Sequence, residues 1–181
     1  MNFESNLKTG QIAEGQIATW LRKARGWDVL PVYEIEKHTG KGPQLFTPDD
    51  GLIAPDMLAL KENKIRWIEA KCKTVFSWHR ISQKWTTGID LKHYADYKTI
   101  ALRYPWELWL LFLHTRSSPR AEDLRLGCPA VCPTGLFGGS IVWLMENENH
   151  RSDKYGNSGM VYWADSTLRY IADLDIIQPA R

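Results

Sequence analysis

The eight residues Glu107–His114 (ELWLLFLH) are apolar at nearly every position. A strand of that composition suits the centre of a sheet covered on both faces, since a strand with one wet face alternates apolar with polar residues. Covering layers are therefore required, and the chain supplies helices for them. From Gly10 to Ala24 the apolar residues Ala13, Ile17, Trp20, Leu21 and Ala24 fall at the spacing of one helical face, and Gly26 stops that helix. Asp90 can cap a second helix running through Leu91, Tyr94, Ala95, Lys98, Ala101 and Leu102 and ending before Pro105. Between the two, Trp27–Tyr33 is β-rich, and two strand-like runs, 52–60 and 65–73, flank the polar stretch Lys61-Glu62-Asn63-Lys64 as in a hairpin. The order α, three β, α, β predicts an α/β fold with a central mixed sheet flanked by helices.

The 181 residues suit one domain, with no internal repeat. Residues 37–50, with two glycines and two prolines, read as a long loop. Residues 116–139 hold three of the nine prolines and four of the thirteen glycines and read as an irregular insertion. Strands are expected at Ile141–Met145 and Met160–Ala164, flanking a polar loop, with a short helix starting at Ser166.

Two strands of one hairpin carry the informative chemistry. Pro55-Asp56 is followed, after twelve residues, by Glu69-Ala70-Lys71. If the hairpin turns on Glu62-Asn63, Asp56 lies directly across from Glu69, and Ala54 across from Lys71. Directly opposed residues share a face with Cβ atoms about 4.5–5.5 Å apart, and Glu69 and Lys71, two apart on one strand, point the same way. Two carboxylates that close repel unless something positive sits between them, and oxygen ligands select a hard cation such as Mg²⁺ or Mn²⁺. A solvated hairpin with a cross-strand Lys–Glu pair is the plainer alternative. Glu14 bears on the choice, because it lies on the apolar side of the first helix, where a carboxylate is costly unless paired or metal-bound. It is either a boundary residue paired with a lysine or a third acid delivered to the cation.

In kind and in order these residues resemble the PD-(D/E)XK nuclease superfamily, the restriction-endonuclease-like fold that also contains Holliday-junction resolvases and phage exonucleases. Gly10-Gln11-Ile12-Ala13-Glu14 with Trp20-Leu21 is similar to that family's first helix, and Gly26-Trp27-Asp28-Val29 to the start of its first strand. Pro55-Asp56 and Glu69-Ala70-Lys71 match its motif, and Asp90–Arg103 with Glu107–His114 resemble its second helix and fourth strand. The resemblance spans roughly residues 8–114 and implies one nuclease domain with an αβββαβ core, the 116–139 insertion, and peripheral strands and a short helix over 140–181. It implies a Mg²⁺-dependent DNA nuclease, with Mn²⁺ able to substitute, that leaves 5′-phosphate and 3′-hydroxyl ends. Asp56, Glu69 and the carbonyl of Ala70 would hold the metal, Glu14 would act on it directly or through water, and Lys71 would orient and help deprotonate the attacking water. Asp49 and Asp50, in the loop before Asp56, are open alternatives to Glu14 as the third acid.

Charge is consistent with a polyanionic partner. The chain carries only +2 overall, but between Lys61 and Arg103 ten Lys or Arg stand against four acids. Ser77-Trp78-His79-Arg80 and Gln83-Lys84-Trp85 interleave aromatic and basic residues, which suits phosphate contact with base stacking, although either Trp can equally pack the core. Lys73, Arg80, Lys84 and Lys92 are the candidate DNA contacts. A homodimer or a subunit of a larger repair, recombination or phage DNA-processing complex both remain open, as does a non-catalytic DNA-binding or assembly protein on the same fold. The longest apolar run, Leu108–Leu113, is far too short to span a bilayer, so no membrane partner is expected. The absence of an apolar leader and the odd number of cysteines (Cys72, Cys128, Cys132) fit a reducing, cytoplasmic setting in a bacterium or phage-infected cell. Cys128 and Cys132 with His114 and His150 could make a zinc site, but that spacing is nonspecific. No GxxxxGK-S/T phosphate loop, GxSxG elbow or HExxH occurs, which leaves nucleotide-driven motors and those hydrolases unsupported.

Overall fold

The structure, a computed structural model, describes residues 3–32, 43–48 and 51–178. Helix α1 (Phe3–Arg25) stops at Gly26, whose φ of +66° lets the Trp27 N–H return 3.0 Å to the carbonyl of Leu21. Strand β1 (Asp28–Pro31) follows, and then a short antiparallel pair, β2 (Gln44–Phe46) and β3 (Gly51–Ile53). The expected hairpin is present as β4 (Met57–Lys61) and β5 (Lys64–Lys73), with Lys61 opposite Lys64 and the turn on Glu62-Asn63 at a Glu62 φ of +53°. The expected run over 52–60 is broken at Ala54-Pro55-Asp56, because Pro55 has no N–H to give to a ladder. The pairing therefore stops short of Ala54 and Lys71.

Beyond the hairpin come β6 (Ser77–His79), β7 (Lys84–Asp90), α2 (Leu91–Arg103) and β8 (Glu107–His114). The chain ends with α3 (Ala121–Arg125), β9 (Gly135–Ser140), α4 (Ile141–Glu146), β10 (His150–Ser152), β11 (Met160–Ala164), β12 (Arg169–Ala172) and α5 (Leu174–Ile177). Six strands form the main sheet in the order β1-β4-β5-β8-β9-β12. Only β5 and β8 are parallel, so the sheet is mixed, as the element order predicts. Four more form a second sheet, β10-β11-β7-β6.

Alternation along β5 sorts the side chains onto two faces. Ile68 and Ala70 pack beneath Ala13, Ile17, Trp20 and Leu21 of α1. Trp67 packs on the other side with Tyr94, Tyr97 and Ile100 of α2. Leu110 and Phe112 of β8 join the α2 layer and Leu111 and Leu113 the α1 layer, which makes β8 the doubly covered strand its composition requires.

Three sequence expectations need correction. The stretch Ile141–Met145 is a helix and not a strand, because the Ser140 hydroxyl accepts the Trp143 N–H as an N-cap and a short β-branched run does not by itself distinguish the two. The 116–139 segment is not wholly an insertion, since β9 begins at Gly135 and pairs with β8. Its glycines fit because a Cβ at Gly138 would stand 2.5 Å from the Leu110 carbonyl oxygen. The helix expected to start at Ser166 is only the one-turn 3-10 helix Asp165–Thr167, and the chain then forms β12 at the edge of the main sheet. Helix α2 runs over the expected residues and buries Tyr94, Tyr97 and Ile100.

The second sheet holds α2 in place through β7, which runs straight into its N-cap. Gly88 on β7 permits this pairing, because a Cβ there would lie 2.1 Å from the Val161 carbonyl oxygen and 2.8 Å from the Tyr162 ring. Gly88→Ala is expected to lower stability by roughly 1–3 kcal/mol through overpacking, read as a lower urea midpoint with an unchanged slope.

Candidate active site

Asp56 sits one residue before β4, where the ladder ends, and it is pinned twice. Its carbonyl accepts the Val32 N–H at 2.8 Å, and its carboxylate accepts the Ala70 N–H at 2.8 Å, taking the place of a strand partner. The registered pairs Met57–Ile68 and Leu58–Trp67 place Asp56 next in line opposite Glu69, as the turn at Glu62-Asn63 predicts. Asp96 ties α2 to the same region, since its carboxylate accepts the Ile53 N–H at 3.1 Å.

Glu69 is only 1% exposed, and neither of its oxygens accepts a well-formed hydrogen bond. A bare buried carboxylate is costly. Its compensation is the Lys71 ammonium, two residues along the same face, which forms an ion pair with one of its oxygens. Burial alone would depress the lysine, but the Glu69 and Asp56 carboxylates outweigh it and hold Lys71 above the ordinary lysine range. Lys71 is therefore held as a cation here, able to donate hydrogen bonds and to stabilise negative charge. Burial and then the neighbouring Glu69 charge push Asp56 well above the usual carboxylate range, against the pull of Lys71. Glu14 is raised in the same way, by burial first, with Lys71 pulling it down and Glu69 pushing it up.

Three groups near this pair carry no motif in the sequence. The Tyr97 hydroxyl lies beside Glu69, and burial with the Glu69 and Asp56 charges pushes its pKa well up, so it stays a neutral donor. His93, one turn earlier on α2, is lowered by burial and by Lys71, which keeps the imidazole neutral at neutral pH. The signal that could have found both is their spacing of four on a helix capped by Asp90, which puts them on one face. Arg120, from the segment after β8, lies near enough to Lys73 to act with burial and Lys71 in bringing that lysine down to about 8.

The expected site residues are gathered only in part. Asp56, Glu69, Ala70 and Lys71 converge, and Lys73 follows at the end of the same strand. Glu14 is coupled to them electrostatically but comes from the α1 layer, whereas Glu69 and Lys71 point toward α2. Among the described residues no group of three or more His, Cys, Asp or Glu side chains stands close enough to hold a metal. Asp49 and Asp50 lie outside the described residues. What is present still fits a hard cation, because Mg²⁺ is commonly held by one or two carboxylates with water and phosphate oxygens completing its shell, and Glu69 is a buried carboxylate whose charge is met within the protein by Lys71.

The candidate DNA contacts do not form one patch. Lys92 is exposed in the first turn of α2, beside His93. Arg80 lies in the β6–β7 turn, and Lys84 reaches the Ser166 hydroxyl at 3.0 Å. They stand at the far end of β7, about 20 Å of strand from Asp90. Trp78 and Trp85 face each other across β6 and β7 with ring centroids 5.1 Å apart, and Trp85 is buried, so this pair packs the core instead of presenting a stacking surface. His114 is stacked on Phe76, and His150 lies between His79 and Tyr162, with Cys132 buried in the α2-side core.

No protein-family model and no curated protein matches the chain. Among solved structures, the chain is similar to Hjc of Archaeoglobus fulgidus, a Holliday junction resolvase from an archaeal hyperthermophile, at 12% identity and a TM-score of 0.48, over 87% of this chain and 90% of that one. It is also similar to D212, a nuclease from a fusselovirus, at 13% identity and a TM-score of 0.43, over 94% of this chain and 90% of that one.

Proposed function

We propose that this protein is a Mg²⁺-dependent nuclease that hydrolyses DNA phosphodiester bonds to leave 5′-phosphate and 3′-hydroxyl ends. The observation that carries the reading is Glu69, a fully buried carboxylate facing Asp56 across the strand ends and paired with the Lys71 ammonium. Asp56 and Glu69, with the carbonyl of Ala70, would hold the metal, and Glu14 would reach it through water. When bound, the metal acidifies a water molecule and withdraws charge from the phosphate. Lys71, as an ammonium on the same face, adds positive charge where the phosphorane transition state develops negative charge. Asp56 is kept in place by the Ala70 N–H and Val32, and Glu69 by Lys71 with Tyr97 beside it, so the acids need little reorganisation. Lys73, Arg120 and Lys92 are close enough to α2 and the end of β5 to take backbone phosphates, while Arg80 and Lys84 would contact a more distant stretch of the duplex. Structure-guided or nonspecific cutting in recombination, repair or phage DNA processing is the setting proposed for this activity.

A panel of plasmid, linear, single-stranded and four-way-junction DNA incubated with Mg²⁺ tests the reading. Cleavage that stops on chelation is expected; DNA binding that needs no metal, with no turnover on any substrate, would instead indicate the non-catalytic alternative.

The metal leaves a trace in stability too. A ligand that binds only the folded state adds about 2.7 kcal/mol when present at a hundred times its Kd. Millimolar Mg²⁺ or Mn²⁺ is expected to raise the melting temperature of the wild type and not that of a protein lacking the Asp56 carboxylate. An identical response from both proteins would count against a site at Asp56.

A further inference from the structure

Where α1 ends, the main sheet is left partly uncovered, and a cleft of about 330 Å³ opens against the starts of β5 and β8. It lies on the α1 side, because Arg66 and Ile68 alternate with Trp67 and Glu69, and so is on the opposite face from Glu69 and Lys71. Arg25, Arg66 and Arg169 line it together with Trp20, Trp27 and Trp109, and none of its lining residues is acidic.

The guanidiniums sit over the indoles. Arg66 is 5.0 Å from the Trp27 ring centroid and 5.3 Å from that of Trp109, Arg25 is 5.7 Å from Trp20, and Arg169 is 5.7 Å from Trp109. Arg66 is fixed from outside the cleft by Glu107, which accepts its Nε–H at 2.6 Å and the Trp109 indole N–H at 3.3 Å. Among the described residues neither Arg25 nor Arg169 forms an ion pair. The indole faces attract the guanidiniums, but three cations gathered around one carboxylate leave the cleft with uncompensated positive charge.

An anion with a flat aromatic part answers both features. The guanidinium fork matches phosphate oxygens, and indole and guanidinium planes stack on nucleobases. The volume falls at the lower end of small-molecule sites, which are roughly 300–1,000 Å³; a duplex does not fit. The geometry points to a second binding site in this cleft for a single nucleoside monophosphate unit, separate from the carboxylate pair. That unit can arrive as a free mononucleotide or as the 5′-phosphorylated end of a single DNA strand.

Titration calorimetry on the whole protein in chelating buffer tests this without depending on cleavage, since no metal is present. Saturable binding of dAMP is expected, at least tenfold tighter than that of deoxyadenosine or inorganic phosphate. Arg25→Ala and Arg169→Ala, both at exposed positions, should each weaken it about fivefold or more while leaving the melting temperature unchanged. A 5′-phosphorylated strand that displaces dAMP, when its 5′-hydroxyl counterpart does not, assigns the site to strand ends; failure of both strands to displace it assigns the site to the free nucleotide. The proposal is overturned if dAMP does not bind, if inorganic phosphate binds as tightly, or if neither arginine substitution changes the affinity.

Discussion

Replacing Lys71 with Gln is expected to slow single-turnover DNA cleavage in Mg²⁺ by about 10²–10³-fold, the usual cost of removing one preorganised group that stabilises transition-state charge. The size follows from where the ammonium sits. It is held against Glu69 on the face shared with Asp56, so its charge is fixed before substrate arrives, and the two carboxylates keep it protonated. Gln is preferred to Ala because Glu69 is buried, and leaving its charge without a partner costs several kcal/mol, about 3–5 when a buried pair is broken. A Gln side chain can still donate a hydrogen bond to Glu69, so loss of activity can be separated from loss of fold by melting both proteins. Lys71→Ala then serves as the harsher control, expected to be both inactive and less stable. Undiminished cleavage by Lys71→Gln would assign the activity to a contaminating nuclease and remove the lysine from the proposed chemistry.

Asp56→Asn is expected to eliminate cleavage and, in chelating buffer at neutral pH, to stabilise the protein. Burial and the Glu69 charge raise the folded-state pKa of Asp56 above its unfolded value. The folded state then holds the proton more tightly, so this group's favourable contribution is complete below about pH 4 and is lost as pH rises through the folded-state value. An Asn does not titrate and can still accept the Ala70 N–H that Asp56 accepts now. The melting temperature of Asp56→Asn minus that of the wild type should therefore be smallest near pH 4 and grow toward neutrality. A gain of about 1 kcal/mol, or roughly 2–4 °C for a domain of this size, is the expected scale. Mg²⁺ should shrink or reverse the difference, because only the wild type keeps both carboxylates. If Asp56→Asn melts below the wild type at neutral pH without metal, Asp56 is not held at the electrostatic disadvantage described here.

Much of this site was legible in the sequence because its geometry is local. A two-residue turn at Glu62-Asn63 sets the register of β4 and β5, and strand alternation then decides that Asp56, Glu69 and Lys71 share a face. Asp90 as a cap, the stop at Gly26 and the doubly covered β8 are likewise properties of a few neighbouring residues. Short-range signals failed where two solutions compete locally. The run Ile141–Met145 is as apolar as a strand, and Ser140 made it a helix; Gly135–Ser140 has the composition of a turn, and the close approach of β8 made it a strand.

What the chain's own order settles is the acid–acid–amine triplet and the α/β succession that carries it, since turn, cap and alternation act over a handful of residues. Packing between distant segments decided the rest. It brought Tyr97 and His93 to the pair and Arg120 to Lys73, kept Trp85 in the core, and brought Glu14 from α1 within electrostatic reach of Asp56, Glu69 and Lys71. It also gathered Arg25, Arg66 and Arg169 into one cleft. Residues as far apart in the chain as 25 and 169 meet only because burying both faces of one sheet leaves each covering helix a single place to lie and a single place to end.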